Sequence, residues 1–284
     1  MALPWALRGL RNGVVTTGWP GRDDGYFDSF PATVTVEHTD HATEMGAALA
    51  IQSVLDEICP TGALRATSDM IGNGVVVDTG SCIGCGSCVL AAPALFSWRH
   101  GADVARLSRD ELTARRGHHE HHDVEEVRTE LARRVRRLKR SVHIRHIDVG
   151  SDGSDEWEVQ ALLNPVYDVH RLGIFFTASP RHADILLVTG IGTPGMQTPL
   201  RRTREAMPDP VVVIATGTDA ISGGIFRHGY GSAGGVGDLL DVDVWIPGSP
   251  ASPFSILHGI LLALDRLPQS PARPVPGQQP EVSP

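Results

Sequence analysis

The chain has no apolar run approaching the roughly 20 residues that span a bilayer. Its longest, residues 254–264, reads as a buried or amphipathic helix. It has no basic excess: the formal net charge is −8, so nucleic acid is not an expected partner. Aromatic residues make up only 5%, whereas 31 glycines and 20 prolines forecast long loops. No secretory leader is recognisable and only four cysteines are present, which together point to a reducing, cytoplasmic setting without disulfides. At 284 residues there is room for two modest domains.

All four cysteines belong to one constellation. Cys82, Cys85 and Cys88 stand in Cys-Ile-Gly-Cys-Gly-Ser-Cys, and Cys59 stands in Cys-Pro-Thr-Gly-Ala. A thiolate every third residue lets one tight loop wrap three corners of a cubane cluster. The small residues Gly84, Gly86 and Ser87 let backbone N–H groups approach its sulfurs. The distant Cys-Pro resembles that of bacterial ferredoxins, where the cysteine before proline supplies the fourth ligand from across the fold. One 4Fe-4S cluster on Cys59, Cys82, Cys85 and Cys88 is therefore expected, and with it a role in electron transfer. Four thiolates also suit zinc, although zinc sites usually pair two Cys-x-x-Cys knuckles.

Residues 31–107 resemble a ferredoxin-like α+β domain that has kept one of two clusters. The places for the other cluster's ligands hold Leu49, Gln52, Leu55 and Ala92. Strand-like runs at 32–36 and 74–78 flank an apolar helical stretch at 44–58, a βαβ half-unit. Residues 23–69 hold nine Asp or Glu against one Arg, which suits an acidic electron-transfer surface or a plain solvated face. Residues 1–30 read as an N-terminal tail, and residues 268–284, rich in proline, as a disordered one.

Residues 108–140 read as a polar linker followed by an amphipathic helix. The linker contains Gly-His-His-Glu-His-His at 117–122. The helix, residues 124–140, has Val124, Val127, Leu131, Val135 and Leu138 on one face. Its other face carries Arg128, Arg133, Arg134, Arg136, Arg137, Lys139 and Arg140, either solvated or ready for lipid headgroups or an acidic partner protein.

Residues 141–267 read as an α/β flavodoxin-like, doubly wound parallel sheet. Strands are expected at 142–149, 185–190, 211–216 and 242–246, with helices at 157–163, 169–172, 196–207 and 254–267 between them. The Gly190-Ile-Gly-Thr-Pro-Gly195 loop lacks a full dinucleotide fingerprint, and His143, His146 and His182 read as structural.

This half resembles the small subunit of membrane-bound nickel–iron hydrogenases and the homologous 20 kDa subunit of respiratory complex I. The motifs that carry the resemblance are Ser-Val-His-Ile-Arg-His-Ile-Asp-Val-Gly-Ser at 141–151, Asn-Pro-Val-Tyr-Asp-Val-His-Arg-Leu-Gly-Ile at 164–174, Ser-Pro-Arg-His-Ala-Asp at 179–184 and Val-Asp-Val-Trp-Ile-Pro-Gly at 242–248. Leu-Arg-Gly-Leu-Arg-Asn-Gly-Val-Val-Thr-Thr at 7–17 is similar to hydrogenase-associated ferredoxin subunits. The resemblance implies a large hydrogenase-like or complex I 49 kDa-like partner, membrane subunits of the same complex, and a place at the cytoplasmic face of the membrane.

One departure matters. By that resemblance, a second cluster's four cysteines would stand at Asp152, Asp155, Asp219 and Ser249. Oxygen ligands are poor partners for an iron–sulfur cubane, so that cluster is expected to be lost. The four positions are then either a drifted polar crevice or a site for a hard cation such as Mg²⁺ or Ca²⁺. The expected function is an iron–sulfur electron-transfer subunit of a hydrogenase-like or complex-I-like membrane-associated oxidoreductase rather than an enzyme alone. The alternative is a non-redox scaffold whose cluster is structural.

Overall fold

A computed structural model describes residues 3–22, 25–36, 47–69, 72–114, 121–136, 138 and 141–267. The chain opens with helix α1 (Leu3–Asn12) and enters strand β1 (Pro31–Val36). Helix α2 (Ala47–Ile58) follows, then the strands β2 (Leu64–Asp69) and β3 (Gly72–Asp78), the short helix α3 (Ser87–Ala91), and strands β4 (Phe96–His100) and β5 (Thr113–Ala114). β1 pairs antiparallel with β4, while β2, β3 and β5 form a separate antiparallel sheet. Around α2 this differs from the expected βαβ half-unit. The strand after the helix is β2, which turns back on β3 instead of lying parallel beside β1. Val34, Leu55, Leu64, Val77, Cys88 and Phe96 form the core here.

The supposed linker is partly structured. Leu112 is 1% exposed and leads into β5 on the β3 edge. Residues 115–120 lie outside the described residues, so most of the histidine run does too; 121–122 open helix α4 (His121–Val135). The basic face of α4 is not free at Arg134. Its guanidinium meets Asp243 at 2.6 and 2.9 Å and donates to the Val211 carbonyl at 2.5 Å. Arg137, Lys139, Arg140 and the 268–284 tail lie outside the described residues.

From residue 142 the chain builds a five-stranded parallel sheet from β6 (Val142–Asp148), β7 (Ile174–Phe176), β8 (Ile185–Thr189), β9 (Val212–Thr216) and β10 (Val244–Ile246), in the order β10-β9-β8-β6-β7. Counting these strands along the chain, that is 2-1-3-4-5, the flavodoxin-like order. β8 and β9 are buried at every residue, as central parallel strands covered on both faces must be. The intervening helices are α5 (Ser154–Ala161), α6 (Pro194–Glu205), α7 (Thr218–Ser222) and α8 (Pro253–Ala263). α8 starts cleanly, with Ser252 Oγ accepting the Ser255 N–H at 3.2 Å and Pro253 at the first helical position. Two apolar clusters lie on the two sides of the sheet.

The halves are stitched together. Arg106 and Trp245 exchange backbone hydrogen bonds at 2.9 and 2.8 Å, which covers the β10 edge. The stretch read as an N-terminal tail contributes Trp19, stacked on Phe27 and edge-on to Phe254 of α8.

Candidate functional site

The Cys82 loop starts where β3 ends. Asp78, 2% exposed, accepts the Gly80 N–H at 3.0 Å and the Ser81 hydroxyl at 2.8 Å. It is also gripped by both terminal nitrogens of Arg109, at 2.8 and 2.7 Å. Burial pushes the Asp78 carboxyl up, but Arg109 together with Ser81 and Arg65 outweighs it and leaves the pKa below the usual carboxylate value. This charged turn presents Cys82. Gly84 and Gly86 then take φ of 66° and 75°, a left-handed region where a side chain would strain, and Gly86 caps α3. A Cβ on Gly86 would also meet the Trp98 ring at 3.2 Å. Cys88 follows in the first turn of α3, buried.

Cys59 arrives from the end of α2, its N–H bonded to the Leu55 carbonyl at 2.9 Å. Its sulfur accepts the Ala63 N–H at 3.2 Å, and the Cys82 sulfur accepts the Gly84 N–H at 3.4 Å. All four sulfur-bearing residues line one pocket, walled by Val34, Ile58, Leu64, Val77 and Ile83. Among the described residues no three His, Cys, Asp or Glu side chains stand close enough to hold a single ion. Four cysteines on one pocket, with the Ala63 and Gly84 N–H groups directed at two of the sulfurs, supply the donor type of a thiolate-bound group.

Burial pushes the Cys82 thiol up to about 11, partly offset by the Gly84 N–H and reinforced by Cys88, Cys59 and Cys85. Cys88 is raised for the same leading reason. Thiolates here need a cationic group among them.

Asp152, Asp155, Asp219 and Ser249 all fall in loops or helix starts beyond β6, β9 and β10, where a doubly wound sheet places its sites. They do not act alike. Asp152 is exposed and turns inward on its own loop, accepting the Ser154 N–H and hydroxyl at 2.9 and 2.6 Å. Asp155 is 3% exposed and accepts the Ala251 N–H at 2.9 Å. Burial raises its pKa to about 8, with Asp219, Glu156 and Asp152 adding to the rise. Asp219 is 8% exposed and is raised to about 6, again first by burial. Ser249 is exposed, before cis Pro250.

The two crevices touch. Thr218, beside Asp219, donates its hydroxyl to the Cys82 carbonyl at 3.0 Å and its N–H to the Gly248 carbonyl at 2.6 Å. Ser249, Cys82, Gly84, Trp98 and Glu158 line a shared cleft. Thr218, Asp78 and Arg109 went unnoticed in the sequence because no spacing marks them. His146 Nε2 lies 3.0 Å from the Thr189 hydroxyl, which donates to Glu156, and Ser151 also donates to Glu156, at 2.7 Å.

Residues 153–263 match the family model described as NADH ubiquinone oxidoreductase, 20 Kd subunit. Formate hydrogenlyase subunit 7 of Escherichia coli (strain K12) is 41% identical over 138 residues, 49% of this chain and 54% of that protein, so the chain spans about half of that relative's length. The probable membrane-bound hydrogenase subunit mbhJ of Pyrococcus furiosus is 38% identical over 136 residues, 48% of this chain and 81% of that protein. A chain in the structure of the membrane-bound sulfane sulfur reductase, an archaeal respiratory membrane complex, is 31% identical, with 48% of this chain and 76% of that chain covered and a TM-score of 0.41.

Proposed function

Because the chain belongs to the family of the NADH ubiquinone oxidoreductase 20 kDa subunit, we propose that it is the electron-carrying small subunit of a hydrogenase-like, membrane-associated complex. Its redox group is a single 4Fe-4S cluster on Cys59, Cys82, Cys85 and Cys88, on a ferredoxin-like domain. The observation that carries the reading is the contact between the two halves. The Cys82 loop is tied by Thr218 to the crevice of Asp152, Asp155, Asp219 and Ser249, the positions that the resemblance implies for a former cluster.

Such a cluster, when bound, takes up and releases one electron at a time. The chain's own residues do the rest. Asp78 and Arg109 hold the Cys82 turn, and the apolar wall keeps water off most of the pocket. The N–H groups of Ala63 and Gly84 stabilise charge on two sulfurs. At the second crevice Asp155 is already committed to the Ala251 N–H and Asp152 to Ser154, so on this reading the four former ligand positions carry no cluster. The retained site thus faces the place where the second would have been, and a short route to a partner runs through the Thr218 contact.

The partners are a large hydrogenase-like or 49 kDa-like subunit and membrane subunits, at the cytoplasmic face. No described helix is long and apolar enough to cross a membrane, so attachment would go through partners or a surface contact. The scaffold reading draws on the replaced crevice ligands. Purification from native membranes decides between them. Recovery with a large subunit, and reduction of the cluster by that complex's electron donor, are expected. A partnered protein whose cluster is never reduced supports the scaffold, and a partnerless protein overturns both.

A further inference from the structure

The N-terminal helix lacks a packing partner within the described chain. None of residues 4–12 belongs to any of the four apolar clusters, and Trp5, Leu7 and Leu10 are 73%, 57% and 80% exposed. A ten-residue helix is below the roughly 12–15 residues at which isolated helices become even marginal in water. Among the described residues nothing packs on the apolar face of α1, which leaves that face open to a partner.

Its sequence, Leu-Pro-Trp-Ala-Leu-Arg-Gly-Leu-Arg-Asn, is two-sided. Ala6, Leu7 and Leu10 share one face by helical spacing. Arg8 and Arg11, three apart, are exposed beside it. Residues 1–22 hold Arg8, Arg11 and Arg22 and no Asp or Glu, although the chain as a whole carries −8. The opening segment is thus a cationic, apolar patch on an anionic protein.

The root of the helix is fixed. After Gly13, with φ of 67°, the Thr16 hydroxyl donates to the Pro165 carbonyl at 2.7 Å and the Thr17 N–H to the Val166 carbonyl at 2.8 Å. Arg171 donates to the Trp19 carbonyl, and Trp19 packs on Phe27 and Phe254. The helix therefore projects from one set point on the second half of the molecule.

We propose that α1 is an interfacial anchor: its Ala6–Leu7–Leu10 face enters an anionic lipid surface while Arg8 and Arg11 meet the headgroups. Short amphipathic helices of this make-up, with apolar and tryptophan residues against arginines and no acids, bind anionic interfaces by apolar burial plus charge. An acidic protein groove would satisfy the arginines too, and the test separates the two.

The full-length protein is floated with phosphatidylcholine vesicles, with and without phosphatidylglycerol. Binding to the anionic vesicles only is expected, and added salt should weaken it. Arg8→Glu with Arg11→Glu should reduce it by roughly tenfold or more. Leu7→Asp with Leu10→Asp should abolish it without changing the thermal unfolding midpoint, because neither side chain is in a core. A photo-reactive side chain at position 10 should label lipid in native membranes. Failure to float, binding indifferent to both variants, or labelling of polypeptide alone would overturn the anchor. None of these readouts depends on the redox role, so either reading can fail without the other.

Discussion

Asp78 and Arg109 meet as two parallel hydrogen bonds of 2.8 and 2.7 Å, with the carboxylate 2% exposed and the guanidinium at the mouth of the loop that follows Leu107. The pair joins β3 to the turn before β5 and sets the Cys82 loop on top of both. A bidentate pair is directional as well as strong, so it fixes the geometry of the turn rather than merely attracting it.

Arg109→Met leaves Asp78 buried without its main partner. A loss of about 2–4 kcal/mol in unfolding free energy is expected, measured by denaturant titration. The sign with pH follows from the lowered carboxyl. The pair's contribution is present above the ordinary carboxylate pKa and is lost as pH falls through the lowered value. Wild type and variant should therefore converge in stability in strong acid. A constant gap down to that range would show that packing, not charge, is what Arg109 supplies.

Asp155 behaves in the opposite sense. Burial lifts its pKa to about 8, above the value of an unfolded aspartate, so its contribution is full in acid and is lost as pH rises through about 8. Asp155→Asn keeps an oxygen for the Ala251 N–H and removes the titration. The variant should gain on wild type with rising pH, by an amount on the order of a few kcal/mol. Urea midpoints near pH 5 and near pH 9 provide the comparison, and an unchanged difference between them would refute the buried-carboxyl account.

Arg134 ties α4 to the sheet through Asp243 and the Val211 carbonyl. Arg134→Met should cost about 1–3 kcal/mol, because Asp243 also accepts the Val213 N–H and would be left without its cation. Arg133→Met, whose partner is the exposed Glu130, should cost little. Equal effects in thermal unfolding would mean that α4 is not held by the Asp243 pair.

The parallel sheet was legible because β6, β8, β9 and β10 are apolar, β-branched runs that end near glycine or aspartate. β7 was missed because it is only three residues long, directly after Gly173. β2 was missed because Arg65, Thr67 and Asp69 interrupt its apolar pattern in the sequence. The cysteine spacing identified the pocket-lining residues, since the loop and α3 keep them together over a short stretch. The Thr218–Cys82 contact spans 136 residues, and no local pattern encodes such a meeting. Arg134 was read as part of a solvated or docking face because periodicity gives the side of a helix but not the acid waiting opposite.

The most direct measurement is iron and acid-labile sulfide on the anaerobically reconstituted full chain, with EPR of the reduced protein beside the Cys85→Ser variant. About four iron and four sulfide per chain are expected, with one reducible signal that vanishes in Cys85→Ser, as a single 4Fe-4S group on these thiolates requires. Stoichiometric zinc without sulfide, or a second cluster's worth of iron, would contradict a lone electron carrier on Cys59, Cys82, Cys85 and Cys88.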